Sequence, residues 1–104
     1  MPNFTASIPH QLSRDEARRR IEQQVGVARQ QSGNLIERLD HRWEGDTLHF
    51  TLAAMGQSVT GLCFVEDQVV RLEVELPWML AMLAGSVRRQ IETQGRELLG
   101  HRPG

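Results

Sequence analysis

The sequence predicts an α+β fold: a curved antiparallel sheet, in the order β-α-β-β-β-β-α, packed on a long C-terminal helix in a helix-grip-like arrangement. Three observations predict it. Residues 4–8 and 35–76 alternate apolar and polar side chains with a period of two, residues 14–31 and 77–99 place apolar residues at steps of three and four, and two-residue turn signals divide the alternating stretch. At 104 residues the chain has room for one domain, residues 1–104, without metal or disulfide staples.

The first element is "NFTASI", with Phe4, Ala6 and Ile8 on one side and Thr5 and Ser7 on the other, ended by Pro9. Ser13 and Glu16 then have the spacing of a capping box, and Asp15 and Glu16 suit the positive first turn of a helix from about Arg14 to Gln31 that stops near Gly33. Its stripe of Ala17, Ile21, Val25 and Ala28 is small, so packing is expected to be close. Arg18, Arg19 and Arg20 fan around the helix at about 100° per residue and form a solvated surface, not an anion site.

Four strands follow between Leu35 and Leu76. A turn at Gly45-Asp46 sets Trp43 opposite Leu48, His41 opposite Phe50 and Leu39 opposite Leu52, whereas a slip of one residue would mix the faces. A turn at Met55-Gly56 pairs Leu52 with Val59 and Phe50 with Gly61, and a turn at Glu66-Asp67 pairs Cys63 with Val70 and Val59 with Val74. The outer face is mostly Thr, Ser, Arg and Glu, apart from a small apolar patch of Leu62, Phe64 and Val69.

Pro77 suits the first turn of the last helix, which should run to about Leu99, with residues 100–104 a frayed tail. Leu80, Leu83, Ala84, Val87, Ile91 and Leu98 would face the sheet, and the gap at Gly61 would lie beneath the helix. Trp78, Met79 and Met82 then fall away from that face. Three such side chains in water forgo about 1.5–3 kcal/mol each, so at least two are expected to be covered, by a second subunit meeting its counterpart near a two-fold axis or by the loop after Gly33.

Composition narrows the function. A formal charge of −1 gives no field for nucleic acid or anionic membrane, the longest apolar run is too short to span a bilayer, and one cysteine permits no internal disulfide. With no signal-peptide pattern the expected location is cytoplasmic. No cofactor motif and no metal-ligand spacing occur. On the inner face Cys63 reads as a buried hydrophobe, while His41 fits either a hydrogen-bonded core position or, with Phe50, Gly61 and Cys63, the wall of a ligand pocket. No catalytic residues emerge, and the expectation is that the protein is not an enzyme.

The stretches "IPHQLSRDEARRRIE" at 8–22, "WEGDTLHF" at 43–50, the glycine at 61, the V-x-L-E-V-E-L-P pattern at 70–77 and the final amphipathic helix together resemble the putative polyhydroxyalkanoic acid system proteins, over about residues 2–99. The resemblance implies a bacterial cytoplasmic protein of storage-polyester (polyhydroxyalkanoate) metabolism, at the granule surface or in its regulation. It brings no catalytic residues, and His10, Trp43, Gly45, Asp46 and Pro77 look architectural within it. Two functions are then expected: a granule-associated, non-enzymatic binding protein that touches an apolar granule surface, a granule protein or a second copy through Trp78, Met79 and Met82 with Leu62, Phe64 and Val69; or a carrier or sensor of a small hydroxyacyl or fatty-acyl ligand held between sheet and helix.

Overall fold

The computed structural model describes residues 4–31, 36–54 and 56–100. The elements are β1 (Phe4–Pro9), α1 (Arg14–Gln31), β2 (Arg38–Glu44), β3 (Thr47–Ala54), β4 (Gln57–Val65), β5 (Val69–Glu75), a 3-10 helix (Trp78–Leu83) and α2 (Ala84–Gly100). The five strands form one antiparallel sheet in the order β1-β5-β4-β3-β2. The fold is α+β. Residue 55 and the segments 32–35 and 101–104 lie outside the described residues, and with them the expectations placed on the loop after Gly33, on Met55 and on the tail.

Ser13 caps the helix as its spacing requires, the Glu16 N–H donating to Ser13 Oγ at 3.1 Å, while the Glu16 carboxylate turns to Arg19 and Arg20. From there α1 is pinned to two turns at one end of the sheet: the Arg14 guanidinium donates to Asp67 at 2.6 Å and to Asp46 at 2.9 Å. The three consecutive arginines do diverge. Arg18 lies 4.8 Å from the Trp43 ring centroid, Arg19 pairs with Glu16 in solvent, and Arg20 spans from Glu16 to the Leu98 carbonyl, tying α1 to α2. With two guanidinium groups upon it, the Glu16 carboxyl is held below the usual carboxylate range.

Gly45 and Gly56 occupy the left-handed region, with φ of 62° and 75°, as the two hairpin turns demand. Trp43 accordingly faces Leu48, His41 faces Phe50, Leu52 faces Val59 and Phe50 faces Gly61. The β4–β5 register differs from expectation by two residues: Cys63 pairs with Leu72, not Val70, and Gly61 with Val74. The cause is a turn displaced by one residue: the Glu66 N–H donates to the Val69 carbonyl, leaving Asp67-Gln68 as the two turn residues. A shift of two leaves every side chain on its expected face.

The buried cluster of Ile8, Leu12, Ala17, Leu48, Cys63, Val65, Val70 and Leu99 gathers toward the end of the sheet that carries the Asp46 and Asp67 turns. Buried His10 closes the path from β1 to α1. Its backbone N–H donates to the Gln68 carbonyl, its Nδ1 accepts from the Leu12 N–H at 3.1 Å, and its Nε2 lies 2.9 Å from the Glu66 carbonyl. The neutral Nε2–H tautomer satisfies both side-chain bonds.

α2 packs chiefly on β1, at the edge of the sheet, and not over Gly61. The small residue that permits the contact is in the helix. A Cβ on Gly95 would stand 2.3 Å from Ile8 Cδ1, so only glycine allows this approach, whereas the space above Gly61 is taken by the Phe50 ring, which a Cβ there would meet at 2.4 Å.

Candidate interaction surface

The chain leaves β5 through buried Leu76, and Pro77, at φ −58° and ψ 152°, turns it out of the strand. The Leu80 N–H donates to the Pro77 carbonyl at 2.9 Å, so the turn is 3-10 and not the first turn of an α-helix. In that geometry residues three apart eclipse, so Met79 and Met82 share one face; Leu83, expected on the sheet-facing stripe, is exposed instead. The segment runs directly into α2. Trp78 is 85% exposed, Met82 89%, Met79 54% and Leu83 49%. Among the described residues, nothing covers Trp78 or Met82.

Leu62, Phe64 and Val69 are half-buried on the outer face. Phe64 lies beneath the Arg71 guanidinium, 5.0 Å from the ring centroid, and Glu66 holds Arg71 there at 2.5 Å. That hydrogen bond raises the Arg71 pKa above the ordinary arginine value. Leu62 borders a shallow depression of about 480 Å³ whose other side chains include Asp40, Arg42, His49, Glu73 and Glu75. Val69 and Leu76, at opposite ends of β5, are about 23 Å apart along an extended strand. Val69 is thus remote from the Trp78 segment, whereas Leu62, opposite Glu73, lies within about 10 Å of Leu76 along the strand.

The residues expected to line an inner pocket do adjoin one another, but the vacancy between them is filled by the Phe50 ring. Cys63 is buried beside them, and burial pushes its thiol up to about 12. His41 Nε2 lies 3.0 Å from each carboxylate oxygen of Glu22, and the Trp43 indole N–H donates to the same carboxylate at 2.8 Å. Glu22 was not visible as a structural residue in sequence. Its only signal was a position between Ile21 and Val25 on the stripe side of α1, which acquires meaning once β2 is known to lie beneath. No described helix is long and apolar enough to cross a membrane.

The profile of the family described as putative polyhydroxyalkanoic acid system proteins matches residues 5–99, nearly all of the elements above. The chain belongs to this family. Comparison with curated proteins and with solved structures gave no match. Within this polyhydroxyalkanoic acid system protein, the motif residues His10, Trp43, Gly45 and Asp46 occupy the chain reversal, the α1–β2 contact and the β2–β3 turn. Pro77 caps the 3-10 helix.

Proposed function

We propose that this protein acts by binding and not by catalysis, and that Trp78, Met79 and Met82 form the contact made with an apolar partner in polyhydroxyalkanoate metabolism: the polyester granule surface or a protein upon it. One observation carries the reading. Four large apolar side chains stand exposed on six consecutive residues of a chain whose described interior is otherwise packed. Flexible methionines beside a tryptophan suit an irregular apolar surface, and contiguous exposed patches of this kind mark contact sites. The family supplies the metabolic setting; a cytoplasmic location at the granule is part of the proposal.

Co-sedimentation with polyhydroxyalkanoate particles tests it. Covering one such side chain is worth about 1.5–3 kcal/mol, so Trp78→Ser with Met82→Ser should reduce retention on the particles at least about a hundredfold, with the solution oligomeric state unchanged by light scattering. Undiminished retention would remove the proposal. Loss of self-association with retention intact would make the segment an interface between copies.

A further inference from the structure

β2 ends the sheet, pairing with β3 on one side and with no described strand on the other. The Val65 N–H donates to the Asp46 carbonyl. This fixes the alternation: even-numbered residues of β3 bond toward β4, so its odd-numbered residues bond to the even-numbered residues of β2. The backbone N–H and C=O of His41 and Trp43 consequently point out of the sheet. Beside them on the outer face stand Arg38, Asp40, Arg42 and Glu44, each more than half exposed.

We propose that β2 pairs antiparallel with β2 of a second copy of this chain about a two-fold axis at His41, joining two five-stranded sheets into one of ten. The charges select this partner. With the axis at His41, Arg38 of each copy lies opposite Glu44 of the other and Asp40 opposite Arg42, so all four outer positions meet their opposites. Moving the axis to Asp40 sets Asp40 against itself and Arg38 against Arg42. Moving it to Arg42 sets Arg42 against itself and Asp40 against Glu44. An axis between residues would oppose inner to outer side chains, which an antiparallel ladder does not permit.

Charged edge strands ordinarily discourage pairing. Here the charges discourage a shift of the axis by one residue either way, and the axes at Leu39 and Trp43 oppose only Arg38 to Asp40 or Arg42 to Glu44, so the His41 axis alone pairs all four positions. In that register the outward backbone groups of the two His41 residues bond each other, and the ion pairs fall at the non-hydrogen-bonded positions, where side chains approach more closely. On the inner face Leu39 meets Trp43 of the second copy. The Arg38–Asp40 pair and the 3.9 Å Arg42–Glu44 pair within the strand are exposed and weak, and exchange for the cross-strand pairs.

This surface is independent of the granule contact, because β4 and β3 separate β5 and the segment after it from β2. Sedimentation equilibrium of the full chain over a concentration series up to about 1 mM tests it. The expected result is a dimer that Arg42→Asp and Asp40→Arg each weaken about tenfold by placing like charges opposite at two symmetric sites. The combined Asp40→Arg/Arg42→Asp chain should regain the original constant within about threefold. Both side chains are exposed, and circular dichroism verifies the fold of each variant. Trp78→Ser with Met82→Ser should leave the constant unchanged even if it abolishes particle binding. A monomer throughout, a dimer indifferent to the charge swaps, or a dimer abolished by the Trp78 and Met82 changes would overturn the proposal.

Discussion

The thiol of Cys63 offers an unusually clean titration. The sequence contains no lysine and no tyrosine, so between pH 9 and 12 no other type of side chain has its ordinary titration range there. Burial raises the folded thiol from 9.0 to about 12. The unfolded chain therefore loses its proton first, and the stability present below pH 9 declines as pH rises toward the folded value. The decline is at most about 1.4 kcal/mol per pH unit. Urea unfolding between pH 8.5 and 11 should show it in the native sequence and not in Cys63→Ala, whatever constant offset the smaller side chain adds; parallel curves would contradict the assignment. Glu22 supplies a second test. Its carboxylate holds both His41 and the Trp43 indole, but it is half exposed, so Glu22→Ala should cost only about 1 kcal/mol while changing Trp43 emission in the folded state.

Among the elements, the seat of α2 on β1 depends on a missing side chain. Gly95→Ala would gain about 1 kcal/mol in helix propensity, but its Cβ would stand 2.3 Å from Cδ1 and 3.1 Å from Cγ1 of the buried Ile8. Overpacking of this kind costs about 1–3 kcal/mol, so a net loss of stability is expected on thermal unfolding. Ile8→Val removes Cδ1 and should make the two changes less costly together than their sum. Strand faces were legible in the sequence because one turn fixes the parity of a whole hairpin; that is why Trp43, His41 and Leu39 meet their expected partners. The β4–β5 register escaped because Glu66 to Val69 carries no glycine to mark where the turn sits. Helix placement escaped for another reason. Gly61 and Gly95 are both potential close-approach sites, and only the packed structure shows that Phe50 fills one while β1 occupies the other. Pro77 correctly marked a helix start, but nothing in "WMLAML" distinguishes 3-10 from α.

Across the whole molecule, burial is uneven. Toward the Asp46 and Asp67 turns, Leu48, Cys63, Val65 and Val70 are fully covered, and Arg14 ties α1 to both turns. Toward the other end, Leu39, Leu52 and Val59 remain half-buried, and the chain there continues through Leu76 into the exposed Trp78 segment. A β-sheet opens first where fewest apolar contacts back its hydrogen bonds. Hydrogen exchange should therefore be slowest for the central amides of β4 and β5 nearest the turns, namely Cys63, Val65 and Val70. Ladder amides of β3 and β4 near Leu52 and Val59 should exchange substantially faster. The edge amide of His41, pointing out of the monomer's sheet, belongs to a third class: fast in dilute protein and slower as concentration rises if two β2 strands pair. Arg42→Asp should shift that concentration dependence to about tenfold higher protein without altering exchange at Cys63 or Val70. Uniform protection along the sheet would contradict the off-centre core. Concentration-independent exchange at His41 would remove the edge pairing while leaving the exposed Trp78 segment as it stands.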